Sequence, residues 1–198
     1  MKHLIFITLV FAGLASYAQK DSTNVKTKVT LPLKDSLITY EEVVTLDSTY
    51  TPSILYKATK TWFVKAFKNA KSVIQSDDAA NGLILAKGTT TIPVSAYIIG
   101  AVAPDCEFTV QIDVKKGKYR YRIFGFQSTG TYMGNPIKAD MSMAYSKYLH
   151  SEYKPHGLLG INKMYGKFNE TFGALGLNMQ LLVRGLKATM ANSKKDDF

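Results

Sequence analysis

The chain is poor in the residues that carry chemistry. It has one cysteine, Cys106, and three histidines, of which His3 lies in the extreme N-terminal run. A lone thiol cannot close an internal disulfide, so the fold must be held by its core. Cys106 itself reads as a small, buried strand residue. His150 and His156 have Pro155 between them, which is not a helical zinc spacing, and no cysteine or acidic cluster joins them. No G-x-S-x-G elbow occurs, so an α/β-hydrolase site has no anchor. The stretch GINKMYGK at 160–167 has one residue too many between its glycines for a P-loop, and Phe168 stands where magnesium needs Ser or Thr. Gly173-x-x-Gly176 is too short for a dinucleotide fingerprint. Asp77 and Asp78 are adjacent, which suits a turn better than two carboxylates facing each other across a substrate. Hence no catalytic residue, metal or cofactor is expected. The one enzymatic alternative is a hydrolase of unfamiliar type built on His150, His156 and the tyrosines near them.

Long apolar runs are also missing. The longest, at 4–14, has about eleven residues, which is the length of a signal-peptide core and about half of a membrane span. Lys2 and His3 precede it, and Ser16-Tyr17-Ala18 follows with small residues at the −3 and −1 positions. Residues 1–18 therefore read as a secretory signal peptide, with Gln19 starting the mature chain. No cysteine follows the run, so a lipid anchor is not expected. The expected location is outside the cytoplasm: periplasm, outer surface or medium. No transmembrane segment is expected after cleavage.

Acidic residues are scarce, 15 against 25 basic ones, giving a formal net charge of +10. Such a balance favours anionic lipid, polysaccharide or nucleic acid as partners, or serves solubility alone. An exported chain rarely meets duplex DNA, so nucleic acid is not expected. Hydrophobic residues make up 46% and charged ones 20%, a globular composition.

Residues 19–39 are polar and without sustained period, and read as a leader or linker with one extended piece at 29–33. Residues 40–46 read as a first strand. Thr51 fits a helix N-cap and Pro52 the first helical position. Leu55, Ala58, Trp62 and Ala66, with Thr59, Phe63, Phe67 and Ala70 beside them, make one broad buried face. Lys57, Lys60, Lys68 and Lys71 fall opposite, most simply as a solvated back, with Lys65 at the edge. Residues 72–76 read as a strand, 77–82 as a turn ending in Asn-Gly, 83–86 as a short strand and 88–93 as extended up to Pro93. Residues 97–103 are apolar and fit either helix or strand.

The clearest local signal spans 106–126. Cys106, Phe108, Val110, Ile112 and Val114 alternate with polar residues, and Tyr119, Tyr121 and Ile123 alternate with Arg120 and Arg122. A two-residue loop at Lys116-Gly117 sets Val114 against Tyr119, Ile112 against Tyr121, Val110 against Ile123 and Asp113 against Arg120. Phe124 and Phe126 then fall on the outer face, which suggests a cover or a partner. Residues 127–167 carry Tyr132, Tyr145, Tyr148, Tyr153 and Tyr165 among scattered Gly and Pro, with one short helix expected at 140–150. The segment reads as an insertion covering the far end of the sheet, or as a binding loop. Residues 168–190 form a second amphipathic helix, in which Gly173, Gly176 and Gly185 imply close backbone approach. The tail at 192–198 should fray.

The run WFVKAFKNAKSVIQSDDAANGLILAKG followed by FTVQIDVKKGKYRYRIFGF resembles a family of secreted bacterial domains of unknown function with a TATA-binding-protein-like fold. Trp62, Asp77, Gly82, Gly88, Gly117, Tyr119, Arg120 and Tyr121 stand where that pattern places them. The resemblance covers about 40–126 and, more loosely, the C-terminal helix. It departs at 127–167, and at Lys116, where an acidic or amide residue is commoner. It implies fold and no chemistry.

The expectation is an α+β domain at 40–191: a curved antiparallel sheet of about five strands with two amphipathic helices on one face. Its expected role is a non-enzymatic binding module of the cell envelope, for carbohydrate or an anionic envelope polymer, or for a protein of the envelope. The alternative is an assembly protein that forms oligomers through the outer sheet face and the insertion. The surface expected to contact a ligand or partner comprises Phe124, Phe126, Tyr132, Tyr145, Tyr148 and Tyr153.

Overall fold

Two long strands carry the molecule. In the computed structural model, which describes residues 27–67, 73–92, 102–132, 135–151 and 159–194, β6 (Val102–Lys115) and β7 (Lys118–Tyr132) form an extended hairpin. The register is the expected one: Val114 against Tyr119, Ile112 against Tyr121, Val110 against Ile123 and Asp113 against Arg120. Gly117 takes φ +68°, while Lys116 keeps ordinary backbone. Only the second loop position needs a positive φ here, so lysine is tolerated at the first.

Around this hairpin the sheet adds β5 (Leu83–Thr91) and then β4 (Ile74–Asp78) on the β6 side. On the β7 side two strands share one edge. β3 (Tyr40–Thr45) pairs with the first half of β7, and β8 (Asn135–Asp140) with the second half. The sheet therefore has six strands, all pairings antiparallel. A two-strand hairpin, β1 (Leu33–Lys34) and β2 (Leu37–Ile38), precedes it, its turn held by Asp35 and Ser36 at positive φ.

The helices among the described residues are α1 (Pro52–Ala66), α2 (Met141–His150) and α3 (Leu159–Asn192). Thr51 caps α1, its Oγ1 accepting from the Ile54 N–H at 3.2 Å. Leu55, Ala58, Thr59, Trp62 and Phe63 are buried as the spacing predicts, but Ala66 is exposed and Phe67 ends the helix in extended backbone. Asp140 caps α2 by accepting from Ser142 and Met143. The buried residues of the helices and of one sheet face form a single core, including Trp62, Phe108, Val110, Tyr121, Phe172 and Met179. Each large apolar side chain so buried contributes about 1.5–3 kcal/mol.

Several expectations are revised. The stretches 83–86 and 88–93 are one strand to Thr91, because Gly88 leaves the space that the Phe108 and Phe67 rings occupy; a Cβ there would lie 2.5 Å from one ring and 2.7 Å from the other. In the segment at 127–167 the short helix expected at 140–150 is present as α2, and the described remainder supplies the end of β7, all of β8 and the start of α3 in place of loop. The second helix starts at Leu159, so GINKMYGK is helical. From Lys28 onward, the stretch read as a polar leader is tied down. Lys28 Nζ donates to the carbonyls of Leu149 and Ser151, both at 2.6 Å, and Leu31 and Ile38 are buried. Its Val29 and Leu31 lie over Gly173 and Gly176, and the Trp62 indole lies against Gly185. The expected close approach at these glycines is thus supplied by the N-terminal strap and by α1. The signal peptide at 1–18, Lys68, Ala70, Lys71, Pro93, residues 97–101, Tyr153, His156 and the tail beyond Lys194 lie outside the described residues.

Candidate functional site

Of the six residues expected to form one surface, Phe126, Tyr145 and Tyr148 are buried apart from Phe124, and Tyr153 lies outside the described residues. Phe126 is in the core at 1% exposure, packed on Phe108 and Tyr40. Gly125 causes this change of side. It takes φ +69°, and the pairing of β7 with β6 shifts between Thr109 and Glu107. A glycine bulge of this kind adds one residue, so the next side chain points to the opposite face. Tyr145 and Tyr148 are also buried, stacked among Phe172, Phe168 and Tyr165. Their hydroxyls face the strap. The Leu31 N–H donates to Tyr145 Oη at 2.7 Å, Tyr145 donates to the Val29 carbonyl at 3.0 Å, and the Val29 N–H donates to Tyr148 Oη at 2.8 Å. Burial pushes the Tyr148 phenol up to about 12. These tyrosines bind the chain's own N-terminal segment. Tyr132 pairs with Asn135 through its strand. Phe124 stands on the outer face, half-buried, with the Arg122 guanidinium 5.9 Å from its ring centroid.

Among the described residues, no helix packs on the outer face. The buried side chains of the sheet point toward the helices, and Val29 and Leu31 of the strap bind on the helix side, while Lys34 and Leu37 of its hairpin reach the outer face. The register places rows of outer residues across the strands: Lys87, Thr109 and Phe124 in one, Leu85, Gln111, Arg122 and Glu41 in the next, then Leu83, Asp113, Arg120 and Val43. Fixed ion pairs cross these rows. Arg120 donates to Asp113 from Nε at 3.1 Å and Nη2 at 3.0 Å, and Arg122 reaches Glu41 at 3.2 Å. Lys138 pairs with Glu107 at 2.8 Å. Hydrogen bonds from Lys34 and then Arg122 hold the Glu41 carboxyl below its usual range.

Two concavities interrupt this face. One, about 280 Å³, opens at the bulge where neither β3 nor β8 covers β7, and Lys34, Leu37, Arg122, Phe124, Gly125 and Asp140 line it. The other, about 260 Å³, lies by the hairpin turn against Val43, Asp113, Lys115, Lys118 and Arg120. Neither was predicted from the sequence. The signal for the first was Gly125, an isolated glycine within a strand pattern.

The chemistry available is limited. Cys106 is fully buried and burial pushes its thiol up to about 12, so it is no thiolate nucleophile at neutral pH. His150 contacts its own helix, Nδ1 lying 2.7 Å from the Ser146 carbonyl. Among the described residues no three His, Cys, Asp or Glu side chains could hold a metal ion, and no helix is long and apolar enough to cross a membrane.

Residues 40–129 match a family described as a domain of unknown function (DUF4468) with TBP-like fold. A TBP-like protein from Parabacteroides distasonis superposes with a TM-score of 0.51 at 10% identity, over 79% of this chain and 96% of its own. A DUF4468 family protein from Bacteroides ovatus gives a TM-score of 0.49 at 16% identity, over 77% of this chain and 89% of its own. No curated protein matches the chain.

Proposed function

We propose that this chain, whose residues 40–129 form a DUF4468 domain with a TBP-like fold, is an exported, non-catalytic module that binds its partner on the outer face of the sheet. The observation that carries this reading is the one-sidedness of the fold. Among the described residues the helices and the N-terminal strap cover one face, and the other presents rows of mostly polar residues crossed by ion pairs. Such pairs add little stability, about 0–1 kcal/mol each, but they orient donors and acceptors before a partner arrives. The charges on the face alternate in sign, which suits a polymer bearing both hydroxyl and charged groups better than bare phosphate. Of the hydrolase alternative built on His150, His156 and the tyrosines, Tyr145 and Tyr148 engage the strap through their hydroxyls, and His156 and Tyr153 lie outside the described residues.

The test is retention on immobilised protein of polysaccharide, lipid and protein fractions from the envelope of the producing cell. Lys87→Glu with Phe124→Ser alters one row of the outer face without touching the core. Retention of one fraction by the parent, reduced at least tenfold in this variant, supports the reading. Equal retention by both proteins, or none by the parent, overturns it.

A further inference from the structure

The hairpin turn of β6 and β7 carries a concentration of positive charge that no carboxylate among the described residues pairs. Lys115 and Lys118 are Cα partners, directly opposite across the two strands, and Lys116 lies in the loop between them. All three are exposed. Like charges placed opposite in an antiparallel pair disfavour it. Elsewhere on this face Arg120, Arg122 and Lys138 each have a carboxylate. Among the described residues, Lys115, Lys116 and Lys118 form no ion pair. The nearest outer-face carboxylate along the strand, Asp113, is engaged by both Arg120 and Gln111.

The turn cannot relieve this repulsion by fraying. The Gly117 N–H donates to the Tyr50 carbonyl at 2.9 Å, and the Gly117 carbonyl accepts from Leu46 at 2.8 Å. On the other flank, the Val114 N–H donates to the Gly82 carbonyl at 2.9 Å. The lysines therefore stand on a pinned base. The cavity of about 260 Å³ beside them has Lys115, Lys118 and the Arg120–Asp113 pair on its walls, with Val43 as an apolar wall at 58% exposure.

We infer that this end of the sheet is a subsite for an acidic polysaccharide. One carboxylate lies between Lys115 and Lys118, and its sugar ring enters the cavity against Val43. The inference rests on the binding role proposed above and adds a ligand class and a location. A lipid surface is flat and leaves the cavity unused, and among the described residues no large aromatic side chain stands exposed at the turn to enter a bilayer or to stack on a nucleic-acid base; Tyr119 and Tyr121 are both buried. A sugar bearing a carboxylate uses both the cations and the apolar wall.

The experiment measures binding of polygalacturonate to the full chain after export processing, by calorimetry at low ionic strength. Neutral dextran and vesicles containing phosphatidylglycerol serve as separate arms. Lys115→Gln with Lys118→Gln should weaken polygalacturonate binding at least tenfold. Lys57→Gln with Lys65→Gln removes the same charge from the exposed back of α1 and should change it less than twofold. Dextran should not bind. Equal losses in the two double variants would reduce the effect to net charge and overturn the inference, as would tighter binding to the vesicles or no binding to polygalacturonate. If an envelope fraction is still retained and released by Lys87→Glu with Phe124→Ser, only the subsite fails; if that retention is also absent, the binding role fails with it.

Discussion

At the scale of single residues, space and solvation decide what each position tolerates. Gly88 takes no unusual φ, yet a Cβ would meet the rings of Phe108 and Phe67 at 2.5 and 2.7 Å. Those rings are held in the core and cannot retreat freely. Gly88→Ala should therefore destabilise the protein by about 1–3 kcal/mol, read from the urea midpoint at unchanged slope; a neutral result would mean the rings repack. Cys106 makes a second prediction, on pH. Its ordinary thiol value of 9.0 is raised to about 12 by burial, and burial also raises Tyr119 and Tyr40. A raised group contributes its full stability below the unfolded value and loses it as pH rises toward the folded one. In the unfolded chain the thiol ionises from about pH 9 while the folded thiol keeps its proton, so the unfolded state binds fewer protons and stability must fall. The slope should approach about 1.4 kcal/mol per pH unit for each such group. Cys106→Ala should flatten the decline between pH 9 and the onset of tyrosine ionisation near 10, whatever it does to absolute stability. An unchanged slope would remove Cys106 from this account.

At the scale of elements, the strap and the bulge separate what the sequence shows from what it hides. The β6–β7 register was legible because strict alternation and a two-residue loop allow only one pairing that buries Val110, Ile112 and Tyr121 together. The place of Phe126 was not, because one glycine at positive φ reverses the alternation, and a periodic reading carries the old phase through it. The strap was hidden for a different reason. It pairs with no long strand, and its backbone is satisfied by side-chain hydroxyls of residues more than a hundred positions away, which no local pattern records. Tyr145 and Tyr148 looked like part of a binding surface because tyrosine suits one; their partner is the strap. Tyr145→Phe keeps the ring, 4.9 Å from Phe172, and removes the hydroxyl that serves both Leu31 and Val29. The buried Leu31 N–H then lacks its acceptor, a cost of about 1–3 kcal/mol. The strap should become sensitive to protease at concentrations that leave the rest of the fold intact. Resistance equal to the parent would mean that apolar burial of Leu31 alone holds it.

At the scale of the whole molecule, the question is whether the open sheet face is for another copy of this chain or for something else. An oligomer through this face needs an apolar centre that excludes water. The sequence supplied two phenylalanines for that purpose, Phe124 and Phe126, but the bulge takes Phe126 into the core and leaves Phe124 half-buried beside Arg122. The exposed apolar residues that do face this way, Leu37 and Val43, have Lys34 and Arg120 near them. Packing two such faces together would strip water from Arg120, Asp113, Arg122 and Glu41 at once, and desolvating paired charges commonly costs as much as their attraction returns. Repulsion between the lysine turns of two copies opposes it further. The purified chain should therefore scatter light as a monomer over the full range of concentration that its solubility allows, at low and at moderate salt. A dimer that appears with concentration and is abolished by Phe124→Ser would reverse this conclusion and place the partner of the sheet face in a second copy.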